Sequence, residues 1–259
     1  MTDAVSMAGA EVRIGGRRIL GPLDLVIGAG DRWALLGPNG SGKTTALSLM
    51  GARRQPSAGE VNVLSERLGR TDVRRLRPRI GHVSHRVADA LRGDTTVLET
   101  VLTGRDGALV PWWLGSDTED RARAHRMLAS IGCADLATRP LDTCSLGERQ
   151  RVLIARALFG EHELLLFDEP AAGLDLPARE RLLAAMTALT ETTTVLATHH
   201  LEEIPATTTH AALLRDGLVV AQGPIDDVLV AARLSDCFEM PIVVDRDGGR
   251  WRARAASER

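Results

Sequence analysis

Gly37-Pro38-Asn39-Gly40-Ser41-Gly42-Lys43-Thr44-Thr45 fits G-x-x-x-x-G-K-[ST], the pattern of a loop that cradles phosphate. A polyphosphate needs inward-pointing backbone N–H groups, a helix N-terminus, one cation and a hydroxyl for Mg2+. The stretch offers all four. Gly37, Gly40 and Gly42 permit a backbone approach that a Cβ would obstruct, with Asn39, Ser41 and Thr45 completing the cradle. Lys43 reaches the β- and γ-phosphates, and Thr44 supplies the Mg2+ hydroxyl. Lys43 is also the only lysine in the chain. The bland alternative is a glycine-rich turn capping an ordinary helix, and the flanking residues decide between the two.

Outward from the loop, the apolar run Arg32–Leu36 enters it as a strand, and a helix leaves it from Lys43 to about Met50. That strand, loop and helix form the context the motif requires. Upstream, Glu11–Ile14 and Leu23–Ile27 read as short strands around Gly15-Gly16. Downstream, Glu60–Leu64 and Ile80–Val83 read as strands. Between them Arg74, Arg75, Arg77 and Arg79 are expected to form a solvated face. From His85 the periodicity turns helical, with pieces at Val97–Leu102 and Thr118–Ile131. Between these, Pro111-Trp112-Trp113-Leu114 reads as buried packing or as an aromatic anchor for a partner.

A helix is expected from about Arg149 to Leu158. Next come four consecutive apolar residues, Leu164–Phe167, the mark of a strand buried on both faces, and they end in Asp168-Glu169-Pro170. A helix over Leu176–Leu189, opened by Asp175 and Pro177, leads to a second buried strand, Thr194–Thr198, ending at His199-His200. Asp216-Gly217 marks a hairpin between Leu213–Arg215 and Leu218–Ala221. A helix is then expected over Ile225–Ala232, and Ile242–Asp245 and Trp251–Ala253 flank Gly248-Gly249 as a last hairpin.

The chain of 259 residues is 44% hydrophobic and 25% charged, enough for a substantial core in one large or two small domains. A net charge of -2 supplies no global attraction to nucleic acid or to an anionic membrane. Cys133, Cys144 and Cys237 are odd in number without C-x-x-C spacing, so neither a disulfide framework nor a zinc site is indicated, and a reducing cytoplasm fits. No basic-plus-apolar leader opens the chain, and no uncharged apolar run approaches the ~20 residues that span a bilayer. If the protein serves a membrane, another subunit is expected to do the spanning.

Parallel sheets place ligands at the carboxyl ends of their strands, where Asp168, Glu169 and His199 stand. Phosphoryl transfer asks for positioning, charge neutralisation and an oriented attacking oxygen. Asp168 is placed to hold Mg2+ directly or through water. Glu169 follows it, is expected to point to the opposite side of the strand end, and can deprotonate a water. His199 can hydrogen-bond a γ-phosphate oxygen.

The order of the motifs resembles the ATP-binding subunit of ABC transporters: the P-loop, a helical insertion, Ser145-Leu146-Gly147-Glu148 before Arg149-Gln150-Arg151, Leu164–Pro170, Gly173-Leu174-Asp175, and Thr198-His199. The match covers roughly residues 10 to 225. It implies an α/β P-loop fold with a mostly parallel central sheet, an antiparallel β subdomain and an inserted helical subdomain. Residues 1–92 and 150–240 would form the RecA-like core with the β subdomain, 93–149 the helical signature subdomain and 241–259 a tail. In that family two subunits meet head to tail, so Ser145 and Gly147 would contact the γ-phosphate of the ATP held by the opposite subunit, and Glu148 and Asp175 would be among the nucleotide-binding residues. Ile14 stands where the family stacks an aromatic residue on adenine, His85 where it has a glutamine that senses Mg2+, and Leu146 where the signature loop has its first glycine.

The resemblance implies an ATPase, with ATP and Mg2+ as cofactors, that energises an importer of a metal chelate or oxyanion. Its partners would be a second copy of the chain, a separate membrane-spanning permease and a substrate-binding protein, with no direct nucleic-acid contact. It would sit at the cytoplasmic face of the membrane. A non-transport ABC-type ATPase acting on ribosomes or nucleic acid is the alternative; a P-loop kinase leaves Ser145–Arg151 unexplained.

Overall fold

The computed structural model describes residues 3–109 and 118–256. Pro111-Trp112-Trp113-Leu114 lies outside the described residues. The chain opens on two long strands, β1 (Asp3–Ile14) and β2 (Arg17–Gly28), followed by β3 (Arg32–Leu36), helix α1 (Lys43–Met50), β4 (Ala58–Val63) and β5 (Glu66–Arg67). The short helix α2 (Val73–Leu76) precedes β6 (Ile80–Val83). A helical stretch follows with α3 (His85–Ala90), α4 (Val97–Leu102), α5 (Thr118–Ser130) and α6 (Leu146–Phe159). Then come β7 (Leu164–Asp168), α7 (Leu176–Thr187), β8 (Thr193–Thr198), β9 (His210–Arg215), β10 (Leu218–Pro224), α8 (Ile225–Val228), α9 (Ala231–Phe238), β11 (Ile242–Asp247) and β12 (Arg250–Ala255).

The strands form a six-stranded sheet of order β10-β9-β3-β8-β7-β6, a four-stranded sheet of order β2-β1-β4-β5, and the separate pair β11-β12. The six-stranded sheet is parallel except for the β9–β10 hairpin, and the four-stranded one is antiparallel. Strand alternation between two buried faces explains why the central strands are largely apolar. On β7, Leu164 and Leu166 enter a core shared with the antiparallel sheet and α1, whereas Leu165 and Phe167 enter a second core beneath α4, α5 and α6. On β3, Trp33 and Leu35 face the first core, and Ala34 and Leu36 face a third, closed by α8, α9 and Trp251. Each such Leu or Phe removed from water contributes about 1.5–3 kcal/mol.

Four local expectations are corrected. Strand β1 begins eight residues before Glu11, because it pairs with β2 on one side and β4 on the other, and that pairing outweighs the weak strand preference of its Ala, Ser and Gly residues. Helix α6 begins at Leu146, not near Arg149, since Ser145 caps it. The helix expected over 225–232 is two: Val230 is extended between α8 and α9, and the bend brings Leu234 and Cys237 into the third core beside Ile225, Val228 and Leu229. Among the four arginines, Arg74, Arg75 and Arg77 are exposed as expected, although Arg77 also donates to the Ala52 carbonyl at 3.2 and 3.0 Å, whereas Arg79 is half-buried and pairs with Glu163 at 2.5 Å.

Candidate nucleotide site

The loop Gly37–Gly42 runs from the end of β3 to the start of α1. At Gly37 φ is 150°, and a Cβ would lie 2.0 Å from the Leu214 carbonyl oxygen of β9, so the loop passes where only glycine fits. Gly42, at φ 103°, is the N-cap of α1 and offers no side-chain cap. The first-turn N–H groups thus face the loop without a side-chain acceptor, which is the anion-binding condition. Ser41 Oγ is buried there without a hydrogen-bond partner. An orphaned hydroxyl inside a glycine cradle fits a phosphate oxygen.

Lys43 is 6% exposed. Its Nζ donates to the carbonyls of Gly37 at 2.7 Å and Pro38 at 3.1 Å, and lies 3.8 Å from Glu169 Oε1. Burial lowers its pKa, and the carboxylates of Glu169 and Asp168 pull the other way. Thr44 Oγ1 donates to Asp168 Oδ1 at 3.0 Å. Burial pushes the Asp168 carboxyl above its ordinary range, opposed by the Thr44 hydrogen bond and the charges of Lys43 and His85. A hydroxyl and a carboxylate are hard oxygen donors, and one or two carboxylates beside substrate phosphates are the usual protein share of a Mg2+ site. The donor set therefore fits Mg2+.

Glu169 departs from its expected position. Simple alternation would turn it away from Asp168, but its φ of 49° bends the chain as the strand ends, while its N–H still donates to the Ala197 carbonyl of β8 at 2.9 Å. Both carboxylates consequently line one cavity with Lys43. His199 Nδ1 lies 3.0 and 2.9 Å from the two Glu169 oxygens, and its ring lies tilted by 41° against His200 with centroids 3.9 Å apart. A carboxylate beside an imidazole and an ammonium can accept a proton from a water held between them.

The cavity, of about 380 Å³, is lined by residues 39–45 of the loop together with Ile19, His85, Asp168, Glu169, Ala172 and His199. His85, the exposed first residue of α3, thus shares the cavity with the Thr44–Asp168 pair. Ile14 is not in this lining; it is 49% exposed at the end of β1, and Ile19 of β2 borders the loop instead. No sequence signal singled out Ile19 or Ala172.

Ser145, Gly147, Glu148 and Asp175 also stand outside the lining. Ser145 has a partner within its own chain. Its Oγ accepts the Glu148 N–H at 3.3 Å while Glu148 Oε2 accepts the Ser145 N–H at 2.7 Å, a complete capping box. Those bonds hold the Glu148 carboxyl below its ordinary range. A Cβ on Gly147 would lie 3.1 Å from the Gly173 carbonyl oxygen, so this helix start packs on the turn after β7. Asp175 caps α7, its Oδ1 accepting the Ala178 N–H at 2.9 Å. Beside these caps Leu146 and Leu176 are 65% and 62% exposed.

The ABC transporter family model matches residues 20–172. An ABC transporter ATP-binding protein of Streptococcus mutans is 36% identical over 252 residues, covering 95% of this chain and 96% of its own. The cobalt import ATP-binding protein CbiO of Rhodobacter capsulatus is 37% identical over 247 residues, covering 93% and 86%. Among solved structures, a dimeric, post-hydrolysis ATP-binding cassette bound to ADP and Pi superposes with a TM-score of 0.75 at 26% identity, over 85% of this chain and 98% of that one.

Proposed function

The chain belongs to the ABC transporter family, and from that premise we propose that it binds and hydrolyses ATP as the energising subunit of an importer for a metal chelate or an oxyanion. One observation carries the reading: Lys43, Thr44, Asp168, Glu169 and His199, drawn from two strand ends and one helix start, line a single cavity. The loop N–H groups and Ser41 Oγ bind the polyphosphate, and Lys43 turns from the Gly37 and Pro38 carbonyls to its β- and γ-oxygens. Thr44 and Asp168 would hold Mg2+, which would supply neutralisation of phosphate charge. Glu169 orients and deprotonates the attacking water, and His199 fixes that carboxylate and donates towards the γ-phosphate.

The cavity is open, and the Ser145–Glu148 turn stands apart from it. In the proposed assembly a second copy closes it, with Ser145, Gly147 and the N-terminal end of α6 facing the γ-phosphate of the partner's ATP. The exposed Leu146 and Leu176 would be covered there, and the dimeric relative supports that arrangement. No helix among the described residues is long and apolar enough to cross a membrane, so a separate permease would span it, with the segment 93–149 transmitting closure at its cytoplasmic face. The cobalt-importing relative supports the metal side of the cargo class.

Glu169→Gln is the test. ATP binding, read by equilibrium titration of the full chain, stays within about twofold, while steady-state hydrolysis falls by about a hundredfold or more. Hydrolysis at the wild-type rate refutes the mechanism.

A further inference from the structure

The hairpin at the end of the described chain has no part in the chemistry above, yet it is docked on the segment that carries His199. Among the described residues, β11 and β12 pair only with each other, in register from Ile242 with Ala255 to Asp247 with Arg250. An isolated two-stranded hairpin is marginal in water, so its order comes from what it packs against.

Its main anchor is the turn Leu201–Glu203, which directly follows His199-His200. Trp251 is 8% exposed and shares the third core with Leu201 and Ile204. The Ala253 N–H donates to Glu202 Oε1 at 3.4 Å. Arg250 donates through one nitrogen to Glu180 Oε2 on α7 at 2.5 Å and through another to the Glu202 carbonyl at 3.5 Å. The turn is tied in its other direction to the strand end: Thr198 Oγ1 donates to the buried Glu203 Oε2 at 2.5 Å and accepts the His200 N–H at 3.1 Å. His199 is thereby held between two fixed points, Thr198 on β8 and the hairpin-bound turn, with Nδ1 at Glu169.

We propose that the β11–β12 hairpin is a positioning element for His199: through Arg250, Trp251 and Ala253 it clamps the Leu201–Glu203 turn and so holds the imidazole at Glu169. The proposal rests on the reading of His199 as a residue of ATP hydrolysis. Leu201–Glu203 is a three-residue 3-10 turn with no side-chain cap, a kind of element with little stability of its own. Coupling between two contacting elements is reciprocal, so the turn that orders the hairpin is ordered by it to the same degree. Loosening the clamp spreads the His199 loop over more conformers, and only the fraction that places the imidazole correctly reacts.

Arg250 separates this role from simple core covering. Its side chain is 36% exposed and its contacts are polar, whereas Trp251 also fills the third core. The experiment compares steady-state ATP hydrolysis by the full chain as wild type, Arg250→Ala, Arg250→Lys, His199→Ala and the Arg250→Ala/His199→Ala double variant. Arg250→Ala lowers kcat about fivefold with KM for ATP within about twofold, and Arg250→Lys restores most of the loss. The double variant is no slower than His199→Ala alone, because the two changes act on one imidazole. An unchanged kcat in Arg250→Ala, or losses that multiply in the double variant, overturns the proposal and leaves the assignment of His199 standing. A kcat unmoved by His199→Ala instead removes the premise, and the proposal with it.

Discussion

His82 makes the fold acid-sensitive in a way that can be isolated. It sits on β6, 5% exposed, with Nδ1 accepting from Arg53 Nε at 3.2 Å and Nε2 buried without a partner. Burial first, then the charges of Arg53 and Arg156, take its pKa from 6.5 down to about 3. A folded-state pKa below the unfolded one contributes stability that is present above pH 6.5 and lost as pH falls towards about 3. The whole gap is worth about 5 kcal/mol, of which about 2 kcal/mol is already lost at pH 5. His162, whose pKa burial also lowers, adds loss of the same sign, so the measurement is a difference between variants. His82→Gln keeps an acceptor for Arg53 and removes the titration. Urea unfolding at pH 8 and pH 5 should show the wild type losing about 2 kcal/mol more than the variant, a further fall in midpoint of about 0.5–1 M. Equal losses in the two proteins would refute the reasoning.

Two further substitutions probe the frame around the site. Ser145→Ala removes the Oγ that caps α6 and should cost about 1 kcal/mol in thermal or urea unfolding of the nucleotide-free chain, where no second copy is involved. Gly104→Ala places a Cβ 2.0 Å from the Arg156 carbonyl oxygen, where neither backbone yields without moving α6, and about 3 kcal/mol or more of stability should be lost, read by the same unfolding curves.

The nucleotide loop was legible because its chemistry is local. Glycines that cannot be replaced, the lysine and a following helix all lie within nine residues of sequence, and the structure assembles them as a cradle. The central strands were legible as well, since residues that feed cores on both sides of a sheet form short, mostly apolar runs. What sequence hid depends on contacts made elsewhere. The strand over residues 3–10 exists through its two neighbours, not through propensity. The direction of Glu169 depends on one backbone angle, which no residue type announces. Ile19 reaches the cavity because β2 is laid against the loop, and Ser145 gains a local partner because Glu148 turns back to it. The hairpin at 242–255 was visible as a hairpin, but its docking on the turn after His199 was not, since that rests on Arg250 reaching an acidic residue 70 positions away.

Lys43 carries one more consequence. With arginine in every other basic position, the chain has a single side-chain amine, and it is the one folded over the nucleotide loop. Reagents and cellular acyl donors that seek lysine have no decoy on the surface: apart from an α-amino group, every amine acylation lands on this Nζ and removes its charge. Labelling stoichiometry, a bulk property in most proteins, is here a single-site gauge of whether the loop is open. The same composition leaves the outside of the molecule without a lysine target, so on the role proposed for Lys43 a modification that reaches the chain through lysine would silence it and not tune it.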